Sequence, residues 1–255
     1  MPWVSFPRLV EYREGFAWDS RVFHFSRPMT VKVSKESILT CLRKEPLDAV
    51  LDEVRQWPPR RAVSPLIGCL FNGDERIKWH AVSALGAVVA ALAKDDMEAA
   101  RTIMRRLMWS LNDESGSIGW GVPETLAEIV AGHEGLAAEY GHILMAYMRP
   151  CECYLELPAL QRGLLWGMGR IAATRPEILK AGDAPVHLLP YLDSEDPEVR
   201  GLAARVLGLL RVSAARGRLA SLRDDSAEFL LYDRGELATT TVGGLAGAAL
   251  DFIER

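Results

Sequence analysis

The sequence has few cysteines, no strong excess of one charge and no long uncharged apolar run. Its 255 residues include four cysteines, which are too few for a disulfide framework and favour a reducing compartment. The formal net charge of -4 argues against a protein that coats nucleic acid. No run approaches the roughly 18 uncharged apolar residues of a membrane span, so we expect no membrane association. Charged residues also interrupt the N-terminal stretch, which argues against a signal peptide and predicts a cytoplasmic protein.

Motifs of common catalytic and metal sites are equally scarce. The chain has neither a G-x-x-x-x-G-K phosphate loop nor a G-x-S-x-G nucleophile elbow. Cys151 and Cys153 form a C-x-C pair, but no second cysteine pair or histidine pair completes a tetrahedral metal site. We therefore predict no metal, no cofactor and no catalytic residue, while leaving enzymatic activity open.

A pattern of about 40 residues repeats along the chain. Each copy begins with an aliphatic residue, has apolar residues four and eight positions later, and then a small residue. These positions share one face of an α-helix, so each copy predicts a buried helical stripe whose small residue lets a neighbouring helix approach. Four clear copies and a degenerate fifth occupy residues 77–86, 118–127, 160–169, 199–208 and 237–246.

A second helical stretch and a polar turn precede each copy, so the repeated unit is helix, turn, helix. Asp and Ser in these turns are suitable helix caps, and Pro197 suits a first helical turn. In the copy that begins at Ile118, Pro123 predicts a late helix start, which places Trp120 at the entrance of that helix.

The predicted fold is all-α, a right-handed α-solenoid of about five helix pairs at residues 34–255. A degenerate helix pair at 34–57 would cap it, and residues 1–33 form an irregular aromatic-rich arm in which 22–25 could be a strand. Met29 could be the native start, in which case residues 1–28 would not belong to the protein. The predicted repeats span 58–95, 97–133, 139–175, 184–212 and 213–255.

The segment D-P-E-V-R-G-L-A-A-R-V-L-G at 196–208 resembles HEAT repeats, particularly the short HEAT-like repeats of the phycobilin-lyase type. The resemblance covers roughly residues 58–255. It implies a fold rather than a function, because that family includes scaffolds, chromophore lyases and other enzymes.

Charge is unevenly distributed along the chain. Residues 107–148 contain six acids and no Lys or Arg, whereas residues 199–223 contain six arginines and no acid. The two segments could be ordinary solvated faces. They could instead form a bipolar surface for a partner or drive self-association of the acidic segment with the basic one.

The HEAT-like resemblance implies that the second helices line a concave face, with the side chains outside the apolar stripes pointing into one groove. Tryptophan and arginine dominate binding hot spots, although these tryptophans could equally be core residues between repeats. Arg162 and Arg170 could also pair with Glu124 and Glu128 across the groove. The predicted groove residues are Trp79, Trp120, Glu124, Glu128, Arg162, Trp166, Arg170 and Arg205.

From this set we predict a non-catalytic protein that binds a protein or peptide partner along its concave face. The alternative is an enzyme that uses the same groove. Trp120 and Glu124 have the one-turn spacing of the tryptophan and carboxylate in HEAT-like alkylpurine DNA glycosylases, and a lyase-like groove would hold a tetrapyrrole. The acidic segment repels a phosphate backbone, so the sequence argues against a nucleic-acid partner.

Overall fold

The computed structural model describes residues 33–111 and 119–255. Apart from Val33, the predicted N-terminal arm lies outside these residues, as do the proposed strand at 22–25 and the proposed start at Met29. Asp113 and Glu114 of the acidic segment also lie outside them.

Two short helices, α1 (Lys35–Leu42) and α2 (Leu47–Val54), precede a series of five helix pairs in the described chain. In the fourth pair the first helix is broken into two and continues as a 3-10 turn at Leu189–Asp193, and a 3-10 turn at Ser213–Ala215 precedes the fifth. The pairs are α3 (Pro59–Cys69) with α4 (Glu75–Asp95), α5 (Met97–Leu111) with α6 (Val122–Gly132), α7 (Glu134–Ala146) with α8 (Pro158–Thr174), α9 (Pro176–Ala181) and α10 (Ala184–Leu188) with α11 (Pro197–Leu209), and α12 (Arg216–Ser221) with α13 (Val242–Glu254).

The second helices of the pairs stack in chain order, α4 on α6, α6 on α8, α8 on α11 and α11 on α13. The first helices pack against this row, for example α3 on α4 and α7 on α6. The repeated apolar stripe forms the core, since Ile77, Leu85, Val199 and Leu207 are at most 2% exposed. The prediction of an all-α solenoid is therefore confirmed.

The small residues that end each stripe allow the second helices to pack closely. A Cβ atom at Gly86 would lie 2.4 Å from the Cγ atom of Glu128 on α6. A Cβ atom at Gly208 would lie 2.5 Å from the Cα atom of Ala249 on α13. Neither position has room for a methyl group, which confirms that these residues are small because a neighbouring helix needs the space.

The predicted helix caps are present. Asp74 accepts hydrogen bonds from the backbone N–H groups of Arg76 and Ile77, and Asp196 caps α11 in the same way. Helix α6 begins late, at Val122, with Pro123 in its first turn. Trp120 lies in the turn before this helix, as the position of the proline predicted.

A β-hairpin between α12 and α13 is the main departure from the predicted fold. Strands β1 (Glu228–Asp233) and β2 (Glu236–Thr241) pair in antiparallel register through the two-residue turn Arg234-Gly235. Both turn residues have positive φ, 51° and 92°, as hairpin turns that match the twist of the strands require.

The helix predicted at 237–246 is therefore wrong over its first half. Three consecutive threonines end β2, and β-branched side chains of this kind favour a strand. The last of them, Thr241, caps α13 by accepting a hydrogen bond from the N–H of Gly244, so the helix begins only at Val242.

Among the described residues, helix α4 has the length and apolar composition of a membrane-spanning segment. Its apolar window is 78% buried inside the fold, as expected for the long central helix of a solenoid.

Candidate functional site

The hairpin covers the inner face of the second helices, where the groove was predicted. The ring of Tyr232 stacks on that of Trp79 with centroids 4.7 Å apart and planes 11° from parallel. The indole Nε1–H of Trp166 donates a hydrogen bond to the backbone carbonyl of Tyr232 at 2.7 Å. Trp79 and Trp166 are each only 6% exposed. Both tryptophans point to the inner side, but the expected groove is not open along its length, because the chain's own hairpin fills it.

Contacts at three further points hold the hairpin in place. The guanidinium of Arg205 on α11 donates to the carboxylate of Asp233 at 3.0 Å. Phe229 packs against Gly201, where a Cβ atom would lie 2.6 Å from the ring. At the tip, a Cβ atom on Gly235 would lie 2.8 Å from the Cβ atom of Leu47 on α2. The hairpin thus extends from the last repeats to the helix pair at the other end of the described chain.

A pocket of about 560 Å³ remains beside the hairpin, at the ends where α4, α6, α8 and α11 begin. Its walls combine aromatic rings with charged side chains, a composition typical of binding pockets. The aromatic members are Phe71, Trp79, Trp120, Trp166 and Phe229, and the charged members are Glu75, Lys78, Glu124, Arg162 and Glu198.

The rim of this pocket is apolar and exposed. Phe71, Trp120 and Leu230 line it with exposed fractions of 48%, 43% and 53%. They are three of the six exposed large apolar side chains among the described residues, so half of these side chains gather at one pocket. Exposed apolar side chains that cluster in this way mark an interaction site more often than scattered ones do.

Glu124 and Glu128, one helical turn apart on α6, have different surroundings. Glu128 binds Arg170 on α8 through two hydrogen bonds, the shorter at 2.7 Å, which confirms one of the predicted pairs across repeats. Glu124 lines the pocket, is 5% exposed, and its Oε2 atom has no hydrogen-bond partner among the described residues. Burial raises the pKa of Glu124 because the charged form loses its hydration.

Four more charged groups determine the electrostatics of the pocket. Burial raises the pKa of Glu198 to about 7, although Arg162 lies 3.6 Å away and opposes the shift. Lys78 lies 3.4 Å from the carboxylate of Glu75 and 5.2 Å from the centre of the Trp79 ring. Each of the two cations therefore already has an acidic neighbour.

The predicted pairing of Arg162 with an acid on α6 is wrong. Arg162 instead contacts Asp196, the cap of the next second helix, at 2.6 Å. Both residues lie at the starts of neighbouring helices, so the side chain of Arg162 extends toward α11 and away from α6. Of the predicted groove arginines, Arg162, Arg170 and Arg205 are all engaged in ion pairs.

Some charged residues of the acidic and basic segments are paired within the described chain. In the basic segment, Arg200 binds Asp225 at 2.7 Å and Arg218 lies 3.1 Å from Asp193. In the acidic segment, Glu139 receives a bidentate contact from Arg101. Self-association through these two segments remains a prediction, and intramolecular pairs reduce the charge available for it.

Sequence reasoning missed three residues that line the pocket, Phe229, Lys78 and Glu198. It also missed Tyr232, which stacks on Trp79. The run Phe-Leu-Leu-Tyr before Asp-Arg-Gly-Glu carries the signal of a hairpin, since a glycine follows a strand-forming run. Lys78 and Glu198 lie beside the repeated stripe, and no periodicity marks them.

The structure shows no group of three His, Cys, Asp or Glu side chains arranged as a metal site within residues 33–111 and 119–255. Cys151 and Cys153 are exposed and unpaired. His80, beside Trp79, is buried, and its Nδ1 atom lies 2.8 Å from the backbone carbonyl of Leu42.

Comparison with known sequences yields little. No protein-family model matches the chain. A protein of Archaeoglobus fulgidus, described as uncharacterized, is 39% identical over 66 residues, which are 26% of this chain and 33% of that protein. The chain thus spans about a third of the length of this relative.

Solved structures that match the chain include designed and engineered proteins. A designed armadillo repeat protein in complex with the peptide (KR)4 matches 87% of this chain and 100% of its own, with 16% identity and a TM-score of 0.49. An engineered protein matches 88% of this chain and 97% of its own, with 17% identity and the same TM-score. Likenesses at this level carry no information about what this chain binds.

Proposed function

We propose that the chain is a non-catalytic helical repeat protein of the HEAT-like type that binds a protein or peptide partner at the pocket beside its hairpin. The exposed apolar rim of Phe71, Trp120 and Leu230 above buried aromatic walls is the observation that carries this proposal. Such a rim would be desolvated by a partner, and tryptophan is the residue type that contributes most strongly to such contacts.

The hairpin limits where a partner can bind. It occupies the inner face around Trp79, Trp166 and Arg205, so a partner would contact the starts of the second helices instead of the whole concave face. Glu128 and Arg170 bind each other and do not line the pocket. The proposed contact residues are therefore Trp120, Glu124 and Arg162 of the predicted set, with Trp79 and Trp166 as the pocket wall.

The enzymatic alternatives gain no support from the site. A glycosylase-like or lyase-like groove would use arginines to bind phosphates or propionates. Arg162, Arg170 and Arg205 each hold a carboxylate of the chain, and acids outnumber cations in the pocket. An anionic ligand would have to displace these carboxylates to reach the three arginines.

The proposal can be tested with peptides selected from a random phage-displayed library on the immobilised protein. We expect enriched peptides that bind in calorimetry and lose about tenfold or more in affinity on the Trp120→Ala variant. Trp109→Ala is the matched control, because Trp109 is 80% exposed on α5 and does not line the pocket.

Two results would contradict the proposal. One is the absence of enriched peptides after selection on the folded protein. The other is a set of peptides whose affinity changes equally, or not at all, in the Trp120→Ala and Trp109→Ala variants.

A further inference from the structure

The carboxyl group of Glu124 is buried at the pocket wall, and one of its two oxygen atoms has no hydrogen-bond partner among the described residues. Glu124 is 5% exposed, and its Oε2 atom makes no hydrogen bond to any described residue. Buried polar side-chain atoms in native proteins almost always have a partner, because an unpaired one loses its hydration without compensation. A group of this kind facing a pocket is therefore a candidate contact for a ligand.

The position of this carboxyl group is fixed by α8. A Cβ atom at Gly163 would lie 2.4 Å from Oε2 of Glu124, so the carboxyl group occupies the space that a side chain would otherwise fill. Glu124 and Gly163 both line the pocket. The acceptor is thus held in one place before any ligand arrives, which reduces the entropy lost on binding.

The charges around the pocket favour a cation. Lys78 has Glu75 at 3.4 Å and Arg162 has Asp196 at 2.6 Å, so both cations are already paired. The positive ends of the helix dipoles at this rim are offset by acids in the first turns of α4, α6 and α11. Three carboxyl groups and two cations line the pocket, those of Glu75, Glu124 and Glu198 with Lys78 and Arg162, and the Asp196 carboxylate pairs with Arg162.

The aromatic walls favour the same class of ligand. Trp79, Trp120 and Trp166 line the pocket together with Glu124. Cations bind to the faces of aromatic rings, and tryptophan attracts them most strongly. The apolar stem of a long cationic side chain would also pack well against these rings.

We propose that the pocket receives a cationic side chain of the bound partner, an arginine or a lysine, whose N–H groups donate to the carboxylate of Glu124 while its stem lies against the tryptophans. This inference rests on the proposed function and adds the chemical class of the group that is bound. Guanidinium fits best, because its planar head can both stack on an indole and donate two hydrogen bonds.

The probe for this inference is n-butylguanidinium, titrated into the ¹⁵N-labelled protein alongside 1-pentanol and valerate, which have a similar apolar stem. The readout is the indole N–H signal of Trp120, assigned by its loss in Trp120→Ala. We expect saturable binding of n-butylguanidinium, about tenfold or more tighter than either comparator, and about a tenfold loss in Glu124→Gln. Glu134→Gln is the matched control, since it removes the same charge at the exposed start of α7.

Equal or tighter binding of valerate or 1-pentanol would overturn the inference, as would unchanged n-butylguanidinium binding in a folded Glu124→Gln variant. Trp120→Ala, in which binding is followed by calorimetry, provides a second variant, because this side chain is exposed and its removal leaves the core intact. Unchanged n-butylguanidinium binding in this variant would also overturn the inference. Selected peptides that need Trp120 but neither Arg nor Lys would refute this inference and retain the proposed function. Glu124-dependent n-butylguanidinium binding without any selected peptide would retain the cation site and refute a peptide partner.

Discussion

Replacing Tyr232 with alanine should release the hairpin from the inner face of the second helices. The Tyr232 side chain is 3% exposed, stacks on Trp79 and shares a hydrogen bond of 3.1 Å with the hydroxyl of Ser83. The hydrogen bond from Trp166 goes to the backbone of Tyr232, so it does not depend on this side chain directly.

The expected cost follows from the buried ring. Truncating a buried aromatic side chain to alanine destabilises a protein by about 3–5 kcal/mol. Removing only the hydroxyl, in Tyr232→Phe, leaves Ser83 without this partner and should cost about 1 kcal/mol. For a domain of this size, the alanine variant should therefore unfold at a temperature lower by about 6–20 °C.

The measurements are urea unfolding and acrylamide quenching of tryptophan fluorescence. Tyr232→Ala should lower the free energy of unfolding and make Trp79 and Trp166 more accessible to acrylamide. Leu230→Ala is the control on the same strand, since Leu230 is 53% exposed and its loss should change stability by less than about 1 kcal/mol. Equal stability losses for Tyr232→Ala and Leu230→Ala would refute the role of Tyr232 as the anchor of the hairpin.

Two further predictions concern the helices beneath the hairpin. Burial raises the pKa of Glu124 above its ordinary value of 4.5. The free energy of unfolding should therefore fall as the pH rises above 4.5, because the carboxyl group ionises more readily in the unfolded chain. Glu124→Met should therefore raise the free energy of unfolding by about 1–3 kcal/mol at pH 8 and by less at pH 4. A larger gain at pH 4 than at pH 8 would contradict the predicted pH dependence. Gly208→Ala should cost about 1–3 kcal/mol, because the new Cβ atom meets Ala249 at 2.5 Å. At Gly247 no atom lies within 4 Å of an added Cβ atom, so Gly247→Ala should raise the free energy of unfolding by about 0.5–1 kcal/mol. Unfolding temperatures that shift in the same direction for both glycine variants would contradict the packing described.

The helical scaffold could be predicted from the sequence because its signals are local. The stripe from Ile77 to Leu85 recurs at a nearly constant interval, and each interval contains its own turn and cap. The late start of α6 followed from Pro123 alone. Each of these features depends on residues within one or two helical turns of each other.

The site was less predictable because its decisive contacts join distant residues. Periodicity places Trp79 and Trp166 on the inner side, but nothing in it reveals that Tyr232 covers them. The helical pattern at 237–246 arose from Leu237 and Leu245, and it concealed the strand-forming threonines between them. A repeat-based prediction describes what neighbouring units do to each other and misses a segment that leaves the repeat.

The contact between the hairpin tip and α2 changes how this solenoid should respond to stress. Open repeat arrays fray from their ends and fold as nearly independent neighbours. Here Gly235 rests on Leu47, so a residue close to the C-terminal helix touches the helix pair at the beginning of the described chain. This contact links the two ends of the array. Unfolding of one terminal unit should therefore lower the stability of the unit at the other end.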